Sequence, residues 1–411
     1  MIQEIKKTVA TIQIASGLVL FACLPVFFNN VTRWAMYLFI AFSLLDYFLQ
    51  KRYQQASFFT LNKVPFWACI AYFLLLILYI PFEEYTRYIP LFIESRLSFL
   101  VFGILGILGT RVPKIKYVAY TCIIVSVVLL LYTLYLSHIH PPSVGSNWKR
   151  HLIMVRHTYI HAHMAFNTYL NIAIAACFWL IKTQKSKLKY AWLLLVALFY
   201  VAIALSDARI GFAACNLLIV MGIYYLLGER HKKATIGVLL VCGILGSAIL
   251  LNNHKVKRNI ETNQDTRYDI WSESVALMKE HPIIGVGAST NITYITNAFI
   301  ASPSIQKDRF LIYSCVHEDV MGAHPHNQIL QSIMEFGIFG LICMGCILLF
   351  PVYYGIRNKS DLLIIACWLL VIIQMQTEVI RGAYGDLAFG IYLLFTMYYA
   401  KHSTKEVVNS V

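Results

Sequence analysis

The chain has 411 residues, 59% of them apolar and only 13% charged, with a formal net charge of +14. That leaves too little polar surface for a soluble globule, and apolar runs of the length that crosses a bilayer, about 20 residues, recur from end to end. The basic excess tracks the loops between those runs, which argues for topology rather than a nucleic-acid partner.

Twelve candidate spans follow in order, at 9–28, 34–50, 64–82, 88–109, 115–137, 158–181, 188–205, 210–228, 234–251, 329–355, 361–376 and 387–400. The second, eleventh and twelfth are short for a full crossing. Met1–Lys7 ahead of an apolar run resembles a signal peptide, but with so many spans behind it an uncleaved first helix is the better reading. With the N-terminus inside, the inner loops collect nineteen basic residues, from Lys6 and Lys7 to Lys401 and Lys405. The short outer loops hold seven: Arg33, Arg87, Lys149, Arg150, Arg156, Arg209 and Arg381. This is the positive-inside bias. The expected architecture is therefore all-α: a polytopic membrane protein of about 12 transmembrane helices, both termini inside, with one large outer loop containing short helices. It divides into 1–251 (spans one to nine), 252–328 (the loop) and 329–411 (spans ten to twelve and an inner tail).

Nine of the ten cysteines lie in apolar runs, and Cys315 alone lies in the loop, so no disulfide framework is expected within it. Cys343 and Cys346 have a knuckle-like spacing without a second pair, which reads as core packing. Charged groups at membrane depth are expensive. Glu94 and Arg96 stand two residues apart in span four and so do not face each other on a helix; a partner for either comes from another helix. Asp46, near the inner end of span two, is expected to snorkel and to be structural.

Span six opens on His151, His157, His161 and His163, with Asn167 and Asn171 below. His157 and His161 have the i, i+4 spacing of metal ligands, but no carboxylate is nearby and a polar cavity mouth is the commoner cause. No metal site is expected. The stretch Leu205–Gly211 (LSDARIG) joins spans seven and eight at the outer boundary, where Gly211 permits close backbone approach. Arg209 there is placed either to clamp a phosphate with its planar fork or to snorkel to headgroups.

In the loop, Arg267–Trp271 (RYDIW) opens an amphipathic helix with Ile270, Trp271, Val275, Leu277 and Met278 apolar, ending before His281-Pro282. Ile283–Ala288 reads as a glycine-rich turn, a weak phosphate-binding signal. His324-Pro325-His326-Asn327 follows the acidic pair Glu318 and Asp319, and the apolar run resumes at Gln328. His326 thus stands at a helix entrance, with a side chain that titrates near neutral pH and can take a proton from an alcohol. No nucleotide-binding loop or dinucleotide fingerprint occurs, which fits chemistry on an outer face without ATP.

These positions together resemble the O-antigen ligase family. His326-Asn327, nine residues, Gly337, two residues and Gly340 fit its signature. LSDARIG is similar to its Ser-x-x-Arg segment, TRYDIW to its loop arginine with an aromatic four residues on, and HPIIGVG to its His-Pro…Gly-x-Gly turn. One departure is Ala208, where members often carry Ser or Thr.

The resemblance implies a periplasmic loop and active site in the bacterial inner membrane, with both termini cytoplasmic. It implies a glycan donor on undecaprenyl diphosphate and an acceptor hydroxyl on the lipid A core, with membrane lipids around them, no nucleic acid and no cofactor. His326, Arg209 and Arg267 are then the catalytic residues. Arg209 and Arg267 also bind substrate, with Asn327, His324, Trp271 and Arg381 as further substrate contacts. Transfer would be metal-independent and inverting. Within the same superfamily stand O-antigen polymerases and protein O-oligosaccharyltransferases. A transporter or flippase of lipid-linked glycan is the reading from a different class, although alternating access does not require the large asymmetric loop.

Overall fold

The computed structural model describes residues 2–23, 29–51, 63–86, 89–111, 113–139, 163–184, 187–205, 209–227, 266–301, 325, 327–357, 368–373 and 375. Among the described residues every regular element is a helix. In chain order they are α1 (Ile2–Cys23), α2 (Asn29–Leu49), α3 (Val64–Tyr79, continued by a 3₁₀ turn at Ile80–Phe82), α4 (Ile89–Leu108), α5 (Ile115–Ile139), α6 (His163–Thr183), α7 (Lys189–Leu205), α8 (Arg209–Leu227), α9 (Thr266–Glu280), α10 (Ala288–Ala301) and α11 (Gln328–Arg357).

Helices thus stand at the first eight expected spans and at the tenth. Among the described residues five helices are long and apolar enough to cross a membrane: Ile2–Cys23, Val64–Phe82, Ile115–Tyr135, Ile210–Leu227 and Gln328–Tyr353. The expected spans at 234–251 and 387–400 lie outside the described residues, and 361–376 is described only at 368–373, which is helical, and at 375. The second helix begins at Asn29 rather than near residue 34, which gives it 21 residues.

The packing runs α2–α1–α5–α6, with α7 and α8 on α6, and α4–α3–α11 on the other side, joined to the first group through α2 and α4. The deepest helix is α6, buried at every position from Phe166 to Leu180. Lipid gives helices no hydrophobic drive to associate, so close packing through small residues and interhelical hydrogen bonds must hold them. That is what α6 shows. Gly222 of α8 accepts the Phe178 ring where a Cβ would overlap it, and Tyr169 donates from its hydroxyl to the carbonyl of Phe21 at 2.7 Å.

Polar ties sort the helix ends into two groups. At one end Gln50 reaches the Lys6 carbonyl (3.2 Å), Arg111 pairs with Asp46 (3.1 Å), Lys63 donates to the Ile107 carbonyl (2.7 Å) and Lys182 to that of Tyr225 (2.7 Å). These are inner-loop ends in the expected topology, and each of the four ties involves a basic residue. Asp46 differs from expectation. Its side chain is 2% exposed and ion-paired with Arg111 instead of snorkelling to solvent, because α2 and the end of α4 close over it.

The far end of the α3–α4–α11 group carries α9 and α10, which pack on α11 around Ile270, Leu277, Ile295 and Met334. The amphipathic reading of α9 holds for Ile270 and Leu277, which are buried with Ser274 between them. Trp271 and Val275 face outward instead, since the buried stripe follows 270, 274 and 277 at helical spacing.

Candidate functional site

Helix α11 is broken where the sequence carries Gly337, at φ +58° and ψ −139°. The break detaches the carbonyls of Met334 and Glu335 from the following turn. They are taken up by the loop after α9: Val286 donates to Met334 O at 2.8 Å and Gly287 to Glu335 O at 2.9 Å. In return the Ile338 N–H donates to the carbonyls of Pro282 (3.1 Å) and Ile283 (3.2 Å). The His-Pro-Ile-Ile-Gly-Val-Gly turn therefore repairs the interrupted helix, satisfying buried backbone groups that would otherwise be orphaned. Two motif segments far apart in the chain are one structural unit.

This unit corrects the weak phosphate-binding reading of the glycine-rich turn. The N–H groups of Gly285, Val286 and Gly287 all donate to backbone carbonyls, of His281, Met334 and Glu335, so these three are not available to an anion. The glycines answer to conformation and space instead: Gly285 and Gly287 lie at φ +70° and +87°, and a Cβ on Gly337 would overlap the Ile283 carbonyl. Gly337→Ala is accordingly expected to destabilise by about 1–3 kcal/mol from backbone strain alone, before any displacement of Ile283. Gly345→Ala in the same helix meets nothing within 4 Å and is the control. Thermal unfolding of the two purified variants in detergent reads the difference; equal midpoints would show that the break does not need glycine.

Helix α10 was not legible in the sequence. Its first turn is capped from outside by Glu83, whose carboxylate accepts from the N–H groups of Ser289 (3.0 Å) and Thr290 (2.8 Å) and from the Thr290 hydroxyl (2.9 Å). A carboxylate at a helix N-terminus satisfies free donors and opposes the dipole. With Tyr79 donating to the Ile284 carbonyl, it pins α10 and the turn before it to the end of α3.

The start of α11 is equally well held. Asn327 accepts with Oδ1 from Ile329 N (3.0 Å) and Leu330 N (3.1 Å), and with its carbonyl from Gln331 N (2.9 Å). The remaining Gln328 N–H donates to Met375 O at 3.0 Å. All four first-turn donors are thus satisfied. On the preceding side, Trp271 donates its indole N–H to the Pro325 carbonyl at 2.7 Å.

His326 itself lies outside the described residues, but both of its neighbours are tied down, one to α9 and one to α11. Arg267 stands in the first turn of α9, four residues before Trp271. The structure thereby brings the helix of Arg267 to the segment that carries His326.

Arg209 is the first residue of α8, and α6 anchors that helix start. Asn171 Nδ2 donates to the Gly211 carbonyl at 3.0 Å, and a Cβ on Gly211 would stand 2.8 Å from the Asn167 Cβ. Close approach at Gly211 is what the sequence predicts. The two asparagines of span six, noted beside the histidine cluster, serve this anchor. His151, His157, His161, His324, Arg381, Glu318, Asp319 and Cys315 lie outside the described residues.

The most consequential group missed in the sequence is Glu335, the one carboxylate in α11. Its side chain is fully buried and ion-paired with Arg96. An acid within an apolar run is the signal that marks it. Arg96 is thus partnered by another helix, as its position relative to Glu94 requires.

Comparison with known proteins gives two findings. The family model described as O-antigen ligase matches residues 193–345, a stretch from α7 to α11 that contains Arg209, Arg267 and His326. An uncharacterized protein of Haemophilus influenzae is 27% identical over 209 residues, 46% of this chain, and the chain spans about half (49%) of that relative's length.

Proposed function

We propose that this chain, which carries an O-antigen ligase family domain at residues 193–345, is a glycosyltransferase of lipopolysaccharide biosynthesis. It joins an O-antigen glycan from undecaprenyl diphosphate to a sugar hydroxyl of the lipid A core. The family match indicates an enzyme of the O-antigen ligase/polymerase type. The observation that carries the ligase reading is that all three motif residues fall inside that match, while α9 and the Pro325–Asn327 segment are hydrogen-bonded together through Trp271.

In this reading the acceptor oxygen attacks the anomeric carbon as the carbon–oxygen bond to the diphosphate breaks. The hydroxyl proton passes to His326, and undecaprenyl diphosphate departs with the bonding electrons. Arg209 and Arg267 hold the diphosphate and stabilise its growing charge, which is electrostatic catalysis without a metal. Attack opposite the leaving group inverts the carbon. Asn327, His324, Trp271 and Arg381 line the substrates, although Oδ1 of Asn327 and the indole N–H of Trp271 also hold the scaffold. Both substrates are lipid-anchored, so the site belongs at the periplasmic face of the inner membrane, with residues 252–328 as the periplasmic loop. The basic residues in the helix-end ties, Lys6, Lys63, Arg111 and Lys182, stand at ends expected in the cytoplasm, which supports this.

Lipopolysaccharide from cells lacking the protein tests the reading. Bare core that regains a glycan ladder on complementation is the expected gel. Core capped by a single repeat identifies a polymerase instead, and unchanged lipopolysaccharide removes both. Purified protein with the two lipid substrates is expected to form joined product in excess chelator; restoration by one added metal would reject the metal-free mechanism.

Sidedness has its own test. With cysteines introduced at Lys187, Lys232 and Ser304 and the native ones removed, an impermeant thiol reagent on spheroplasts is expected to label position 304 alone. Labelling at 232 but not at 304 would invert the topology.

A further inference from the structure

Below the segment that carries His326, one carboxylate gathers three helices and a turn. Glu335 accepts from Arg96 of α4, from the Tyr72 hydroxyl of α3 at 3.2 Å, and from Gln331 one turn earlier in α11. Its backbone carbonyl accepts from Gly287. The network continues towards the helix start: Tyr72 Oη is 3.0 Å from Ser332 Oγ, and Gln328 Nε2 donates to Ser332 Oγ (3.0 Å) and Tyr72 Oη (3.3 Å). Gln328 is two residues from His326. Arg96 is further enclosed by the Phe92 ring, 5.0 Å from its guanidinium carbon. Tyr72, Arg96, Gln328, Gln331, Ser332 and Glu335 are all at most 2% exposed.

Stability alone does not explain such a cluster, because well-packed apolar side chains commonly replace a buried ion pair without loss. Its position does. The Gly337 break separates residues 328–336 from the rest of α11, and a helix of that length holds no fixed place by itself. Tertiary ties must set where it stands, and the Glu335 network supplies them from inside the bundle.

We propose that Arg96 and Glu335 are positioning residues, which hold the first part of α11 in register with α3 and α4 and thereby place His326 against the acceptor hydroxyl. The proposal rests on His326 serving as the base in glycan transfer. Neither Arg96 nor Glu335 touches substrate; both act through the helix that carries the histidine.

The test compares Glu335→Gln, the paired Arg96→Met with Glu335→Leu, and Tyr72→Phe. Glu335→Gln leaves the Arg96 charge uncompensated and is expected to lower abundance. The paired variant removes both charges and is expected to recover abundance. Its kcat per folded molecule should still fall by about 10²-fold, the effect of a small misplacement at a reacting centre, with the donor KM unchanged. Deuterium uptake at 325–331 should rise in the same protein while α1 and α2 stay as in the wild type.

Tyr72→Phe keeps the ring and loses the bridging hydroxyl, so it should show the same two changes in smaller degree, including where the paired variant fails to fold. Recovery of kcat together with abundance, or unchanged uptake at 325–331, would overturn the proposal. His326→Ala separates it from the functional reading. If that variant retains transfer while the paired variant still raises uptake at 325–331, the histidine mechanism fails and the structural tie stands, without a role in catalysis.

Discussion

Arg209→Lys and Arg267→Lys are each expected to lower glycan transfer by about 10²–10³-fold, the usual loss when one stabiliser of developing charge is removed. Lysine keeps the positive charge, so a purely electrostatic role would survive the change. The planar guanidinium fork, which gives two parallel hydrogen bonds to a phosphate, does not. Donor affinity should weaken with acceptor affinity nearly unchanged. Arg209 leads a helix anchored through Gly211 on Asn171, so a backbone shift there is a poor explanation for such a loss. Transfer and donor-binding assays on protein of normal membrane abundance decide the matter. Wild-type transfer by either lysine variant would reduce that arginine to a headgroup contact.

His326→Ala is expected to do the opposite. Donor should bind as before, while transfer falls by about 10²–10⁴-fold because the acceptor hydroxyl is no longer oriented or deprotonated. Both neighbours of the position are held by groups independent of the imidazole, Trp271 on Pro325 and the Asn327 cap on α11. Removing the ring should therefore leave the segment in place. His324→Ala shares the loop and the proline but not the motif position, so its loss should be milder. Near-normal transfer by His326→Ala would leave the two arginines as the whole active site.

The turn and the broken helix show how far a motif can be read from one strand of text. HPIIGVG and the spacing from His326 through Gly337 to Gly340 are visible as separate patterns. That the first supplies the hydrogen bonds the second has lost follows only from their contact, through Val286, Gly287 and Ile338. Helix α10 escaped for a related reason. Its opening residues, Ala288-Ser289-Thr290-Asn291, offer mixed propensity, and Glu83, which satisfies that first turn, comes from 206 residues earlier.

The sequence by itself determined the helical membrane class, the places of the first eight helices and of α11, the end of α9 before Pro282, and the need for close approach at Gly211. Apolar run length, basic flanks, proline and glycine act on the residues beside them, so their consequences are local and can be read in order. Tertiary structure alone decided that Arg96 is neutralised by Glu335, 239 residues away, that Asp46 is buried against Arg111, and that Trp271 grips the segment of His326. A buried charge or an unpaired donor requires some partner wherever it lies. Which partner it finds depends on which helices pack together, and no local periodicity carries that information.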